Sequence, residues 1–336
     1  MTARLSHSSA TLGRTHGKMP VMARLFPTVL TTLMAGVIAA GILQEAPQSA
    51  VIDSARLLAD LRVLASDEME GRRVGTAGGE KARAFIIERF KTSGIVPFGT
   101  SYESAFNFTS GRGNNALQRG VNVIGRIDGK RTNRHYIVVS AHYDHLGVRN
   151  GVVFNGADDN ASGTAALFSI AKYFAAHQPE NSLIFAAFDG EEAGYQGSRA
   201  FVKQPPVDAG LLSLNLNADM IGRAPDSKLF VVGTALQPFL KPYILAVADK
   251  APVNLLAGHE DPKQPEDWTA DSDHYSFIAA KIPALYFGVE DFDQHHRATD
   301  DYETITFSFY VHAVETLIQV IRQFDSNLDP IINARR

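Results

Sequence analysis

The 336-residue sequence predicts an α/β fold, with a mixed, mainly parallel twisted sheet and helices on both faces. Three features carry that expectation. Two uniformly apolar runs, Tyr136–Ala141 and Leu183–Phe188, read as strands buried on both sides. From Val121 onward such runs alternate with stretches of helical spacing, the order that builds strand–helix–strand units. Polar clusters follow directly on the apolar runs, where the carboxyl edge of an open sheet binds ligands.

The elements follow in order. Ile52–Ser66 and Gly78–Ser93 have helical periodicity, and Gly94 stops the second. The turn-rich connector Glu70–Thr76 separates them. Strands are expected at 121–127, 136–141, 183–188, 211–217, 229–232 and 284–287, and helices at 162–176, 195–203, 236–250, 272–280 and 304–324. Irregular stretches are expected at 111–118 and 258–269, the second overhanging the site because Asp271-Ser272-Asp273-His274 follows it. Pro330 should prevent the last helix from continuing, leaving 326–336 as a tail.

Composition narrows the function. A 45% hydrophobic content and 20% charged residues are ordinary for a globular domain, here 51–325. Residues 1–50 carry Arg4, Arg14, Lys18 and Arg24 against Glu45, so the remainder has 28 basic and 35 acidic residues. That balance argues against a nucleic-acid partner. The uncharged run Leu25–Leu43 after Arg24 reads as a signal sequence, or a membrane anchor if uncleaved, and predicts a periplasmic or secreted protein. Zero cysteines exclude disulfides and thiolate ligands, so a metal must be held by His, Asp and Glu.

Five clusters supply such donors: Ser140–His145, Asn155–Asn160, Asp189–Gly194, Asn217–Met220 and His295–Asp301. So many carboxylates repel one another unless cations lie between them, which points to a two-metal site. Of His142 and Asp144, one can ligate while the other orients it. Of Glu191 and Glu192, one can bind metal while the other serves as general base. Asp158, Asp159 and Asn160 are more polar residues than a helix cap needs, with Asn160 or Ser162 as the cap. Asp219 closes a strand, and either His295 or His296 could ligate.

These clusters, together with Ser66–Arg72, Gly75-Thr76 and Gly78-Gly79-Glu80, resemble the dizinc aminopeptidases of metallopeptidase family twenty-eight, whose relatives include glutamate carboxypeptidases and glutaminyl cyclases. The resemblance runs from about Asp67 to about Ile305. It implies two zinc ions: His142 and Asp219 on one, Glu192 and His296 on the other, and Asp158 bridging both. It further implies Glu191 as general base, Asp144 as the orienter of His142, and a cis peptide at Asp158–Asp159. His296 is preferred because the family pattern is aromatic-His-x-x-x-Asp, met by His295 through Asp300. Where some members carry an oxyanion-stabilising tyrosine this chain has Thr269, so the role is vacant or passes to Tyr275 or His274.

The activity implied is hydrolysis of an N-terminal peptide bond through a dizinc-bridged water, on a peptide or small dipeptide substrate. Asp144, Asp159, Asp273, Glu290 and Asp291 would favour a substrate α-ammonium, and Arg297 keeps a carboxypeptidase reading open. The rivals are a one-zinc glutaminyl cyclase and a non-catalytic binding ectodomain, which would have lost ligands; none is lost here.

Overall fold

A computed structural model describes residues 47–109, 116–131 and 135–334. The expected signal or anchor segment lies outside them. Among the described residues no helix is long and apolar enough to cross a membrane.

Two helices open the domain, α1 (Ser54–Leu64) and α2 (Ala77–Thr92), each capped by a side chain: Asp53 accepts from Arg56 N and Thr76 from Gly79 N. There follow β1 (Glu103–Thr109), β2 (Leu117–Ile127), β3 (Tyr136–His142), a small hairpin β4 (Gly147–Arg149) with β5 (Val152–Phe154), α3 (Gly163–Ala176) and β6 (Ser182–Phe188). The second half contains α4 (Gln196–Lys203), β7 (Leu212–Ala218), β8 (Lys228–Val232), α5 (Lys241–Ala248), β9 (Asn254–Ala257), α6 (His274–Ala279), β10 (Ala284–Gly288), α7 (Phe307–Ser326) and α8 (Leu328–Ala334).

Eight strands form one sheet in the order β1-β2-β6-β3-β7-β10-β8-β9. The four central strands, β6, β3, β7 and β10, are mutually parallel, so their carboxyl ends emerge side by side at one edge. Every residue of β3, β6 and β7 is buried. Alternation along them separates two cores. Ile137, Val139, Leu183, Phe185, Leu214 and Leu216 face α1, α2, α3, α5 and α7, while Val138, Ile184, Ala186 and Phe188 face Phe201 of α4 and Phe277 of α6. The mixed sheet and helices on both faces agree with the expectation.

Departures have local causes. The helix expected at 236–250 is a 3₁₀ turn, Pro238–Leu240, followed by α5, because Pro242 fits only the first turn of a helix. The strands β1 and β9 lie at the edges and are largely exposed, so they lack a buried-strand pattern. The expected tail is instead helix α8, which holds Pro330 in its first turn and buries Leu328 and Ile331 in the main core.

Candidate metal centre

The carboxyl ends of the parallel strands converge as their apolar runs predict. His142 ends β3, Glu191 and Glu192 follow β6, and Asp219 follows β7. The loop after β10 brings His295 and His296. Residues Ala157–Ser162 form an irregular turn before α3, in which Asn160 Oδ1 accepts from Gly163 N at 2.8 Å and caps the helix.

Asp159 is at the centre. Three groups of donors within metal-holding distance share it: His142, Asp159 and Asp219; His145, Asp159 and Glu192; and Asp159, His295 and His296. His142 Nε2 lies 3.1 Å from Asp219 Oδ1 and 3.3 Å from Asp159 Oδ1. His296 Nε2 lies 3.1 Å from Glu192 Oε2 and 3.4 Å from Asp159 Oδ2, closer than His295 Nε2 at 3.8 Å. Two ligands of one tetrahedral zinc, each about 2.1 Å from it, stand about 3.4 Å apart. The donor set fits that spacing on both sides of Asp159.

Asp159, not Asp158, is therefore the shared carboxylate. Asp158 turns away and accepts from Gly222 N at 2.6 Å, and burial beside Asp300 and Asp291 raises it well above the usual carboxylate range. The cis peptide is Asp159–Asn160, one residue later than expected. Two adjacent aspartates carry no mark of which one faces the ligand side, and the backbone decides it. The Asp300 carboxylate fixes the choice by accepting both amides, Asp158 N at 2.9 Å and Asp159 N at 3.0 Å.

Asp144 also differs from expectation. The His142 ring is oriented by the backbone carbonyl of Asp144, 3.1 Å from Nδ1, while the carboxylate oxygen stands 3.8 Å away and accepts instead from Glu191 N. Asp144 thus positions the glutamate pair. Asp219 is held by Ser272 Oγ, 2.6 Å from Oδ2. Ser272 accepts in turn from Asn217, within a bonded set that includes Ser140 and Asn215 on the same sheet face. Such outer contacts orient ligands.

The two glutamates are driven apart. Burial raises Glu191 well above its ordinary range, with Asp219, Asp273 and Glu192 adding to it and His142 opposing. Burial and Asp159 push Glu192 the same way, yet the close imidazoles of His145 and His296 bring it down to about 2. The environment thus separates the proton affinities of two adjacent carboxylates. Burial disfavours the Asp159 anion too, but His145, His142 and His296 hold it well below the usual range.

A cavity of about 340 Å³ opens over the site, walled by Trp268, Tyr286, Phe292 and Met220 as well as the donors. Trp268, stacked on His259 at 3.7 Å, lines this cavity, so the 258–269 segment does reach the site through that residue. Neither Tyr275, which is exposed, nor His274, bonded to the Thr269 carbonyl, lines this cavity; Tyr195 and Tyr286 do. Tyr286 sits inside an apolar strand run, which hides it from sequence reasoning. Residue type and spacing likewise give His145 and Arg72 no distinct role. The signal for His145 was its place in the same six-residue cluster as His142, and for Arg72 its place in the Ser66–Arg72 motif.

An open-sheet edge with clustered His and carboxylate donors defines a metal-dependent hydrolase. The chain belongs to peptidase family M28, whose family model matches residues 122–321, and it is a metallopeptidase. A vacuolar membrane protease of Schizophyllum commune is 29% identical over 116 residues, 34% of this chain and 12% of that one. A probable zinc metalloprotease of Pyricularia oryzae is 36% identical over 114 residues, 32% of this chain and 22% of that one. The matches thus span less than a quarter of those relatives. Among solved structures, a zinc aminopeptidase from Bacillus subtilis superposes with a TM-score of 0.66 at 16% identity, covering 84% of this chain and 96% of that one. Porphyromonas gingivalis glutaminyl cyclase also gives 0.66, at 17% identity, covering 81% and 99%. These likenesses are of fold. Zinc is the metal that the family and the relatives' names support.

Proposed function

We propose that this chain is an aminopeptidase that holds two zinc ions on His142, Asp159, Asp219, Glu192 and His296. The observation that carries it is Asp159, shared by donor groups on either side. These residues would hold zinc, which when bound would supply a Lewis acid toward the scissile carbonyl and the attacking water. Glu191 takes a proton from the attacking water and delivers it to the leaving amine. Asp144 holds the Glu191 amide, which keeps the base in place while Glu192 ligates.

The cavity lining favours an amino terminus. It contains Asp159, Glu191, Glu192, Asp219, Asp271 and Asp291 and no Lys or Arg. Four of these belong to the metal set and its base, and Asp291 pairs with Arg223, which leaves Asp271 to receive a substrate α-ammonium. Asp144 and Asp273 are buried outside the cavity, and Arg297 does not line it, which weakens the carboxypeptidase reading. Trp268, Phe292 and Tyr286 suit an apolar first side chain.

Comparing kcat/KM for free, N-acetylated and C-amidated forms of one tripeptide tests the assignment. Acetylation should abolish hydrolysis and amidation should matter little; equal cleavage of the acetylated form would refute it. A glutaminyl peptide assayed for cyclisation tests the cyclase alternative. Export, argued from Leu25–Leu43, is part of the same proposal, and N-terminal sequencing of protein from the envelope or medium tests it.

A further inference from the structure

We propose that His145 is a fourth protein ligand, through Nδ1, of the metal position formed by Asp159, Glu192 and His296. The inference rests on the two-zinc reading and adds a ligand to it.

His145 is fully buried, and neither ring nitrogen makes a hydrogen bond of acceptable geometry. Its Nδ1 is nevertheless 2.9 Å from Glu192 Oε1 and 3.6 Å from Asp159 Oδ2. Those two oxygens are themselves buried and without a hydrogen-bond partner. Three orphaned donor atoms thus face one another, close together but not aligned for N–H···O bonds. Native interiors rarely leave buried polar atoms in that state without something to satisfy them.

A cation does so, because it accepts lone pairs from all three at once. The separations bracket the roughly 3.4 Å expected between two ligands of one tetrahedral zinc. His296 completes the group: its ring centroid is 6.0 Å from that of His145, and its Nε2 faces the other oxygen of Glu192. The position then has two imidazoles and two carboxylates, whereas the position of His142, Asp159 and Asp219 has one imidazole.

The fold makes room for this ring. It lies against Gly156, where a Cβ would stand 2.5 Å from His145 Cγ and Cδ2, and Gly156 adopts a φ of +56°. Both demands exclude an ordinary side chain at 156. The backbone leading into Asp159 is therefore shaped around the imidazole beside it.

A consequence is asymmetry. The ion at the His145 position should be the later one to leave on chelation, with the His142 position emptying first. The test uses the full mature protein, stripped and reloaded with Co²⁺. Elemental analysis counts the ions, visible absorption reports their coordination, and X-ray absorption of the wild-type zinc enzyme counts imidazoles. The expected wild type carries two ions and three imidazoles between them. His145→Ala should weaken one ion by more than about 100-fold, beyond the 10- to 100-fold that loss of an outer-shell partner costs, and change the cobalt spectrum. His145→Asn, which keeps a polar group in the space, should show the same spectral change if the alanine variant fails to fold. Two ions with two imidazoles in the wild type, or an unchanged spectrum and affinity in a folded variant, overturns the assignment of His145. A wild type that binds one ion or none refutes the two-zinc reading instead.

Discussion

Replacing Arg72 by methionine should unfold the metal loops, although Arg72 touches no ligand. Its guanidinium is fully buried and donates to four carbonyls: Tyr143 O at 2.8 Å, Leu64 O and Asn155 O at 2.6 Å, and Gly156 O at 2.9 Å. Tyr143 lies between His142 and Asp144, and Asn155 and Gly156 lead into Asp159, so one side chain ties both ligand loops to the end of α1. A hydrogen bond from a charged donor contributes about 1.5–3 kcal/mol, or roughly 6–12 for four. Burial lowers the Arg72 pKa from 12.5 to about 10 despite the attraction of Asp159, Asp300 and Asp144, so the four bonds hold the charge in place against desolvation. That sum is comparable with the roughly 5–15 kcal/mol that holds a domain folded.

Arg72→Lys should fall between wild type and methionine, because one ammonium cannot reach four carbonyls arranged around a planar fork. Urea unfolding with and without zinc measures both variants, and zinc content after gel filtration reads the loops directly. A methionine variant within about 1 kcal/mol of wild type and fully loaded with zinc would refute the clamp, since even the low end of the four-bond estimate exceeds that.

The remaining predictions concern the site. Asp159→Asn should lose both ions, because it removes the shared carboxylate, whereas Asp158→Asn should keep them, since Asp158 turns away from the donors and its contact with Gly222 N is one that an amide oxygen can also accept; elemental analysis decides between them, and the opposite pattern would restore Asp158 as the bridge. Glu191→Gln should lower kcat by about two to four orders of magnitude with metal content intact, while Glu192→Gln should lose metal. His274 is buried against Tyr286 and its ring falls to about 4, mainly through burial, with the Thr269 carbonyl opposing. The unfolded chain, with an imidazole near 6.5, takes up that proton first, so stability should be unaffected above about pH 6.5 and fall toward pH 4, by about 2 kcal/mol at pH 5. Thermal melts of wild type and His274→Gln across that range should diverge only on the acid side.

How much of this was legible depends on how local its cause is. The apolar runs Tyr136–Ala141 and Leu183–Phe188 announced β3 and β6 because strands covered on both faces must be apolar throughout. His142, Glu191, Glu192 and Asp219 stand out as candidate donors because each follows such a run, and a strand end points its residues to the ligand edge, whereas their separate roles rest on the family resemblance. Edge strands β1 and β9 escaped notice since exposure removes the pattern that marks a strand.

The sequence by itself determined the inner strands of the sheet, the clustering of donors at its carboxyl edge and the absence of thiolate ligands, all of which follow from residue type and spacing. Only the tertiary structure decided which aspartate of the pair faces inward, through the Asp300 carboxylate holding two amides from 141 and 142 residues away. It also decided that the Asp144 carbonyl orients His142, that Tyr286 lines the cavity, and that His145 joins Asp159 and Glu192 in a buried group. The reason is the same in each case. Within a turn of adjacent polar residues the direction of a side chain is set by backbone torsions, and those torsions are selected by hydrogen bonds to distant segments that local spacing does not encode.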